Sequence, residues 1–88
     1  MANHMSALKR YRQSEKRQLR NKSYKSSINT SIKKVFTSIE GKDIDAARGY
    51  YDKSVALLDS AVNKGILHRK TSSRRISRLT REFTSAIS

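Results

Sequence analysis

The sequence predicts an all-α fold: an antiparallel three-helix bundle whose long, basic first helix projects past the bundle. Three observations lead there. The 88 residues contain no Pro and only three Gly, so few positions oppose helix formation. Apolar residues recur at three-and-four spacing in three stretches, divided at Gly41 and Gly65. The connections at those two glycines are short, which makes consecutive helices antiparallel.

The first helix is expected over Ser6 to Ile39, a stretch free of Pro and Gly. Its second half carries the stripe Ile28, Ile32, Val35, Phe36, Ile39. Followed toward the N-terminus, the same face reads Tyr24, Asn21, Arg17, Ser14, Arg10, so it turns polar and basic without leaving register. The second half should therefore pack in a core and the first half overhang it. At 1.5 Å per residue the helix would be roughly 50 Å long.

Gly41 suits the C-terminal cap, where a positive φ is often required. Asp43 can cap a second helix with its carboxylate, and that helix should run to about Asn63 or Lys64. Its apolar face is broad (Ala47, Tyr50, Tyr51, Leu57, Leu58, Ala61, Val62) and can touch two neighbours. Gly49 falls inside it, as a close helix crossing would explain. Asp45, Asp52 and Asp59 recur every seven residues on the opposite face, a solvated face that should point away from any polyanion. Gly65 is the next C-cap, with Lys64 placed for the helix's negative end. The third helix starts between His68 and Ser73. Ser72, Ile76, Leu79, Phe83 and Ile87 share one face, Lys70, Arg74, Arg78 and Arg81 the other, with Arg75 at its flank.

Twenty Lys and Arg stand against seven Asp and Glu, a net charge of +13, and 35% of residues are hydrophobic, none of them Trp. Such a chain buries little apolar surface and repels itself. It should be marginally stable alone and gain order from a polyanion. Charge falls in three blocks: +9 over residues 1–34, −2 over 35–63 and +6 over 64–88. One domain spanning 1–88 is expected, with no internal repeat.

The absence of Cys excludes disulfides and thiolate metal sites. No apolar run approaches the roughly 20 residues of a spanning helix, and Met1 to Met5 lacks the apolar core of a signal peptide. The basic N-terminal segment imitates a mitochondrial transit peptide in composition, but it runs unbroken into a core-forming helix. Catalysis has little support. His4 and His68 are the two neutral-pH acid–base groups. His4 is expected in a frayed terminus and His68 in a basic turn, as a surface residue first, a phosphate contact second and a metal ligand a distant third. The carboxylates do not cluster at ligand spacing, and no Gly-rich phosphate loop is present. No cofactor, metal or small-molecule substrate is expected.

The basic segments are the positive signal. Lys9, Arg12, Lys16 and Arg20 fall on one side of the first helix, Arg10 and Arg17 beside them, Lys22 and Lys25 elsewhere. Charge around so much of the circumference suits insertion among several phosphate backbones, a setting that folded RNA offers. Arg supplies planar bidentate donors and Lys a point charge. Ser14, Asn21, Ser23, Ser26, Ser27 and Asn29 add neutral donors; Tyr11 and Tyr24 could stack on exposed bases, and Tyr24 could equally finish the core stripe. A membrane-surface helix would want a strong apolar face here, and Leu8, Tyr11 and Leu19 make a thin one. Neither a short base-reading cluster nor a dimerisation heptad is present.

Three segments carry a family resemblance. They are Met1-Ala2-Asn3-His4 with Ser6 to Arg10 and Glu15 to Lys22; Ile32-Lys33-Lys34-Val35; and Lys64-Gly65-Ile66-Leu67-His68-Arg69-Lys70 with Arg74-Arg75 and Ser77-Arg78-Leu79. In this order and spacing the chain resembles the bacterial-type small-subunit ribosomal protein S-twenty family over nearly its full length. Departures from the pattern fall at Met5, Ser23-Tyr24, Asn29 and Thr71-Ser72-Ser73.

The resemblance implies a three-helix bundle bound directly to small-subunit rRNA, with an early role in assembly and no enzymatic activity. Its RNA-contacting positions map onto Lys9, Arg10, Arg12, Lys16, Arg17, Arg20, Asn21, Lys22 and Lys25, and onto His68, Arg69, Lys70, Arg74, Arg75 and Arg78. Lys33 and Lys34, in the matching segment, join them as candidate RNA contacts. Other small-subunit proteins are further candidate neighbours, no homo-oligomer or membrane contact is expected, and the location would be a ribosome in a bacterial cytoplasm or plastid stroma. The competing reading is a general histone-like nucleic-acid-binding protein. A membrane-active amphipathic peptide is a third, resting on the last helix alone.

Overall fold

The computed structural model describes residues 2–87, with side chains from Met5 onward. Three helices follow in order: α1 (Ala2–Glu40), α2 (Ile44–Asn63) and α3 (Arg69–Ile87). The first helix begins at Ala2, ahead of the Ser6 expected. At about 1.5 Å per residue its 39 residues reach nearly 60 Å. That length accounts for a molecule measuring 65 × 22 × 13 Å.

The bundle forms on the C-terminal half of α1 only. Ile28, Leu58, Ala61 and Ile66 are buried together, with Tyr24, Ile32, Leu57, Leu67 and Ile76 packed around them. Val35, Ala47, Leu79 and Phe83 are also buried. Near that end the Tyr51 ring stacks on Phe83 with centroids 4.7 Å apart. The Tyr51 hydroxyl meets Thr80 Oγ1 at 2.7 Å, so the half-buried ring keeps a partner for its polar tip. The α2 helix packs on both neighbours, and α1 and α3 touch each other more sparingly.

Hydroxyls occupy three interior positions. Ser31 and Ser54 lie 2.8 Å apart, Ser54 donates to the Tyr50 carbonyl at 2.7 Å, and Ser72 donates to the Leu58 carbonyl at 3.0 Å. Among the described residues no buried side-chain nitrogen or oxygen lacks a partner, as burial of polar groups demands. Ser54 is absent from the apolar face read off the sequence, because a hydropathy stripe does not register a small polar residue that spends its hydroxyl on its own helix. At the other end of the prediction, Ile87 was expected on the packed face of α3 and is 47% exposed, for the bundle has tapered away by the last turn.

Both turns are Schellman caps. After α1, the Lys42 N–H bonds the Ile39 carbonyl and the Asp43 N–H bonds the Ser38 carbonyl. The left-handed residue there is Lys42, at φ 60°, and not Gly41 as expected. Gly41 continues the helical hydrogen bonding, its N–H reaching the Thr37 carbonyl, so the reversal comes one residue later. Asp43 then caps α2, its Oδ1 accepting from the Ala46 N–H at 3.2 Å. After α2 the expected residue does the work: Gly65 has φ 73°. Ile66, next in line, tucks into the core beside Ala61. Gly49 is not at a helix crossing. It is exposed, and a Cβ there would meet nothing within 4 Å.

Candidate nucleic-acid interface

Every residue from Met5 to Arg20 is exposed. This segment of α1 stands clear of the bundle and carries Lys9, Arg10, Arg12, Lys16, Arg17 and Arg20 with a single acid, Glu15. No residue of α2 or α3 covers it, because Tyr24 is where the core begins. Asn21 is half-buried at the root of the overhang, while Lys22 and Lys25 are exposed. The His4 side chain lies outside the described residues.

The antiparallel return of α2 brings a second basic group to the same root. The Lys64 ammonium sits 4.8 Å from the Tyr24 ring centroid, a cation–π contact that pins the α2–α3 connection against α1. His68, Arg69 and Lys70 follow directly and are exposed. His68 is the N-cap of α3. Its Nδ1 accepts from the Lys70 N–H at 3.1 Å, and its carbonyl accepts from the Ser72 N–H. An accepting Nδ1 leaves the ring proton on Nε2, facing outward as a donor. Arg74, Arg75 and Arg78 continue along the exposed face of α3. Arg75 Nη1 donates to Asn29 Oδ1 at 3.3 Å and so bridges α3 to α1.

The candidate residues are thus not one patch. Overhang, root and α3 face form one connected region. Lys34 lies on the other flank, its ammonium 5.5 Å from the Tyr50 ring centroid at the α1–α2 seam, and Lys33 is exposed nearby in sequence. That seam holds a concavity of about 450 Å³, lined among others by Ser23, Ser26, Ser27, Thr30, Lys34 and Lys53. Sequence reasoning missed Lys53, which reads as an isolated base in an acidic helix and joins Lys34 only across the fold. Asp45, Asp52 and Asp59 are exposed on α2.

The basic charges are not neutralised by internal ion pairs. Among the described residues no Lys or Arg is paired with a carboxylate. Their positive field therefore faces outward. No group of three or more His, Cys, Asp or Glu that could hold a metal occurs among the described residues, and no described helix is long and apolar enough to cross a membrane.

Residues 2–84 match the family model for ribosomal protein S20. The chain belongs to the ribosomal protein S20 family. Curated relatives agree along almost their whole length. The chain is 46% identical over 87 residues to the small ribosomal subunit protein bS20 of Syntrophus aciditrophicus, covering 99% of this chain and 98% of that one. It is 49% identical over 83 residues to the bS20 of Desulforapulum autotrophicum, covering 94% and 99%. With the bS20 of Geobacter sulfurreducens it shares 43% over 81 residues, covering 92% and 93%. The S20 family is structural and not enzymatic. The match takes in the overhang as well as the bundle, so the basic projection belongs to what the S20 model describes.

Proposed function

We propose that this chain is a structural constituent of the small ribosomal subunit that binds small-subunit rRNA directly and acts as one unit over residues 1–88. It clamps rRNA helices through Lys and Arg contacts to phosphate and helps fix their relative positions early in assembly. The observation that carries this reading is the overhang: an exposed helix with basic side chains around its circumference and no protein surface against it.

An exposed helix of one charge sign is poorly stabilised by itself, since propensity alone holds short helices marginally in water and like charges oppose it. Phosphate backbones on several sides would remove that repulsion and release counterions. Lys9, Arg10, Arg12, Lys16, Arg17 and Arg20 supply the first set of contacts, with Asn21, Lys22 and Lys25 at the root. His68, Arg69, Lys70, Arg74, Arg75 and Arg78 supply the second. Lys33 and Lys34 extend the reach along the bundle.

The test is a salt series comparing folded small-subunit rRNA with duplex DNA of equal length and an unrelated structured RNA. With about eight phosphates neutralised, log affinity should fall against log salt with a slope on the order of −6 to −7. The rRNA should be preferred by on the order of a hundredfold or more at physiological salt. Equal affinity for all three ligands would replace this reading with a general histone-like one.

A further inference from the structure

We propose that the groove between α1 and α3 takes one unpaired RNA nucleotide, its base against Phe36 and Ile32 and its phosphate on Arg75 and Arg78. The inference rests on the rRNA-binding reading above and says how one nucleotide would be read within it. The groove encloses about 270 Å³ and is lined by Asn29, Ile32, Phe36, Arg75, Arg78 and Leu79.

Its two halves differ in chemistry. The floor is apolar: Leu79 is buried, and Ile32 and Phe36 are half-buried, so each leaves some surface in the groove. The rim is cationic: Arg75 and Arg78 are exposed and stand one helical turn apart, which aligns them on one face. No carboxylate lines the groove. Arg75 is held by its 3.3 Å bond to Asn29 Oδ1, and a guanidinium has five N–H donors, so it keeps others for an anion while its position is fixed. The groove exists because α2 takes most of the packing surface of both neighbours, leaving α1 and α3 splayed.

This combination selects its occupant. A free phosphate would satisfy the arginines and leave Phe36 and Ile32 wet. A purely apolar group would fill the floor and bury guanidinium surface without a partner. Duplex nucleic acid keeps its bases inside the stack. An unpaired nucleotide offers a flat apolar face and a phosphate on one short tether, and specific RNA recognition works largely on such splayed bases. The Asn29 amide nitrogen remains as a donor toward a base edge.

The test uses the full chain, which contains no Trp. In a Phe36→Trp variant the introduced indole reports stacking directly, while filter retention reports binding to folded small-subunit rRNA separately. The expected result is indole emission that falls by about half or more as bound rRNA stacks a base on it. Adding Arg75→Gln and Arg78→Gln should restore the emission and weaken retention by about tenfold or more. Because an indole is larger than the ring it replaces, a Phe36→Leu variant is probed as well. It should bind rRNA and leave one nucleotide reactive to base-modifying reagents that the unsubstituted chain protects. Retention with unchanged emission, and no such nucleotide, would overturn the inference and leave the rRNA reading standing. Emission that responds only when another small-subunit protein is added would assign the groove to a protein segment and also overturn it. Failure of the unsubstituted chain to retain rRNA would remove the functional reading itself.

Discussion

The Ser31 and Ser54 hydroxyl oxygens lie 2.8 Å apart, buried where α1 faces α2. Ser54 also reaches the Tyr50 carbonyl at 2.7 Å. Small side chains here let the two backbones approach, and the paired hydroxyls remove the cost of burying them. Ser54→Ala should therefore lower stability by about 1 kcal/mol, and Ser54→Leu by roughly 1–3 kcal/mol through overpacking. Denaturant melts followed by circular dichroism would show both. An unchanged midpoint for Ser54→Leu would mean that the contact is looser than the geometry indicates.

The two turns make opposite predictions from one conformation. Lys42 holds a left-handed backbone with a side chain attached, which costs roughly 1–2 kcal/mol. Lys42→Gly should raise stability by about 1 kcal/mol, a shift of about 4–8 °C in Tm for a domain of this size. Gly65→Ala imposes the same strain anew and should lower Tm by a similar amount.

Gly49 offers a second stabilising change. It is exposed in the middle of α2, with open space where a Cβ would go. Gly49→Ala should add about 0.5–1 kcal/mol, read as a higher midpoint in thermal melts and no change in RNA binding.

The overhang separates binding from folding. Arg12→Gln or Arg17→Gln removes a charge from a segment that no part of the bundle touches. Each should reduce the salt slope of rRNA binding by about 1, while Tm stays unchanged or rises as repulsion eases. Backbone amides of residues 5–20 should exchange fast in the free protein and slow on binding, which hydrogen exchange can follow directly.

His68 combines a cap with an outward donor. His68→Ala should cost about 0.5–2 kcal/mol of stability. His68→Asn keeps a capping oxygen and should restore the fold. Because the outward Nε2–H is lost in both, their rRNA affinities should fall together even though their melting temperatures differ.

The fold was largely legible because it is written in period and punctuation. The stripe from Ile28 to Ile39 and the face from Ser72 to Phe83 announce themselves at helical spacing, and α2 ends at Asn63, where Gly65 signalled it. What escaped depends on three-dimensional neighbours. A glycine marks a turn without saying which residue reverses, and so the strain at Lys42 was hidden beside Gly41. Ser54 is polar by type and buried by placement. The basic residues stood out as binding candidates by number, but not their division between the flank holding Lys34 and Lys53 and the flank holding Arg75 and Arg78. That division is decided by which helix α2 turns toward each.

The uninterrupted backbone of α1 has a mechanical consequence. From Ile28 in the core to Met5 the helix runs about 35 Å, with neither Gly nor Pro to bend it. The bundle and the tip are therefore two ends of one lever. A tilt of the bundle by about 10° sweeps the tip through about 6 Å, roughly the width of one helical turn. An RNA that grips the root at His68 and Arg69 thus sets where Lys9 and Arg10 can land, and the distance between the two grips is measured out by peptide geometry.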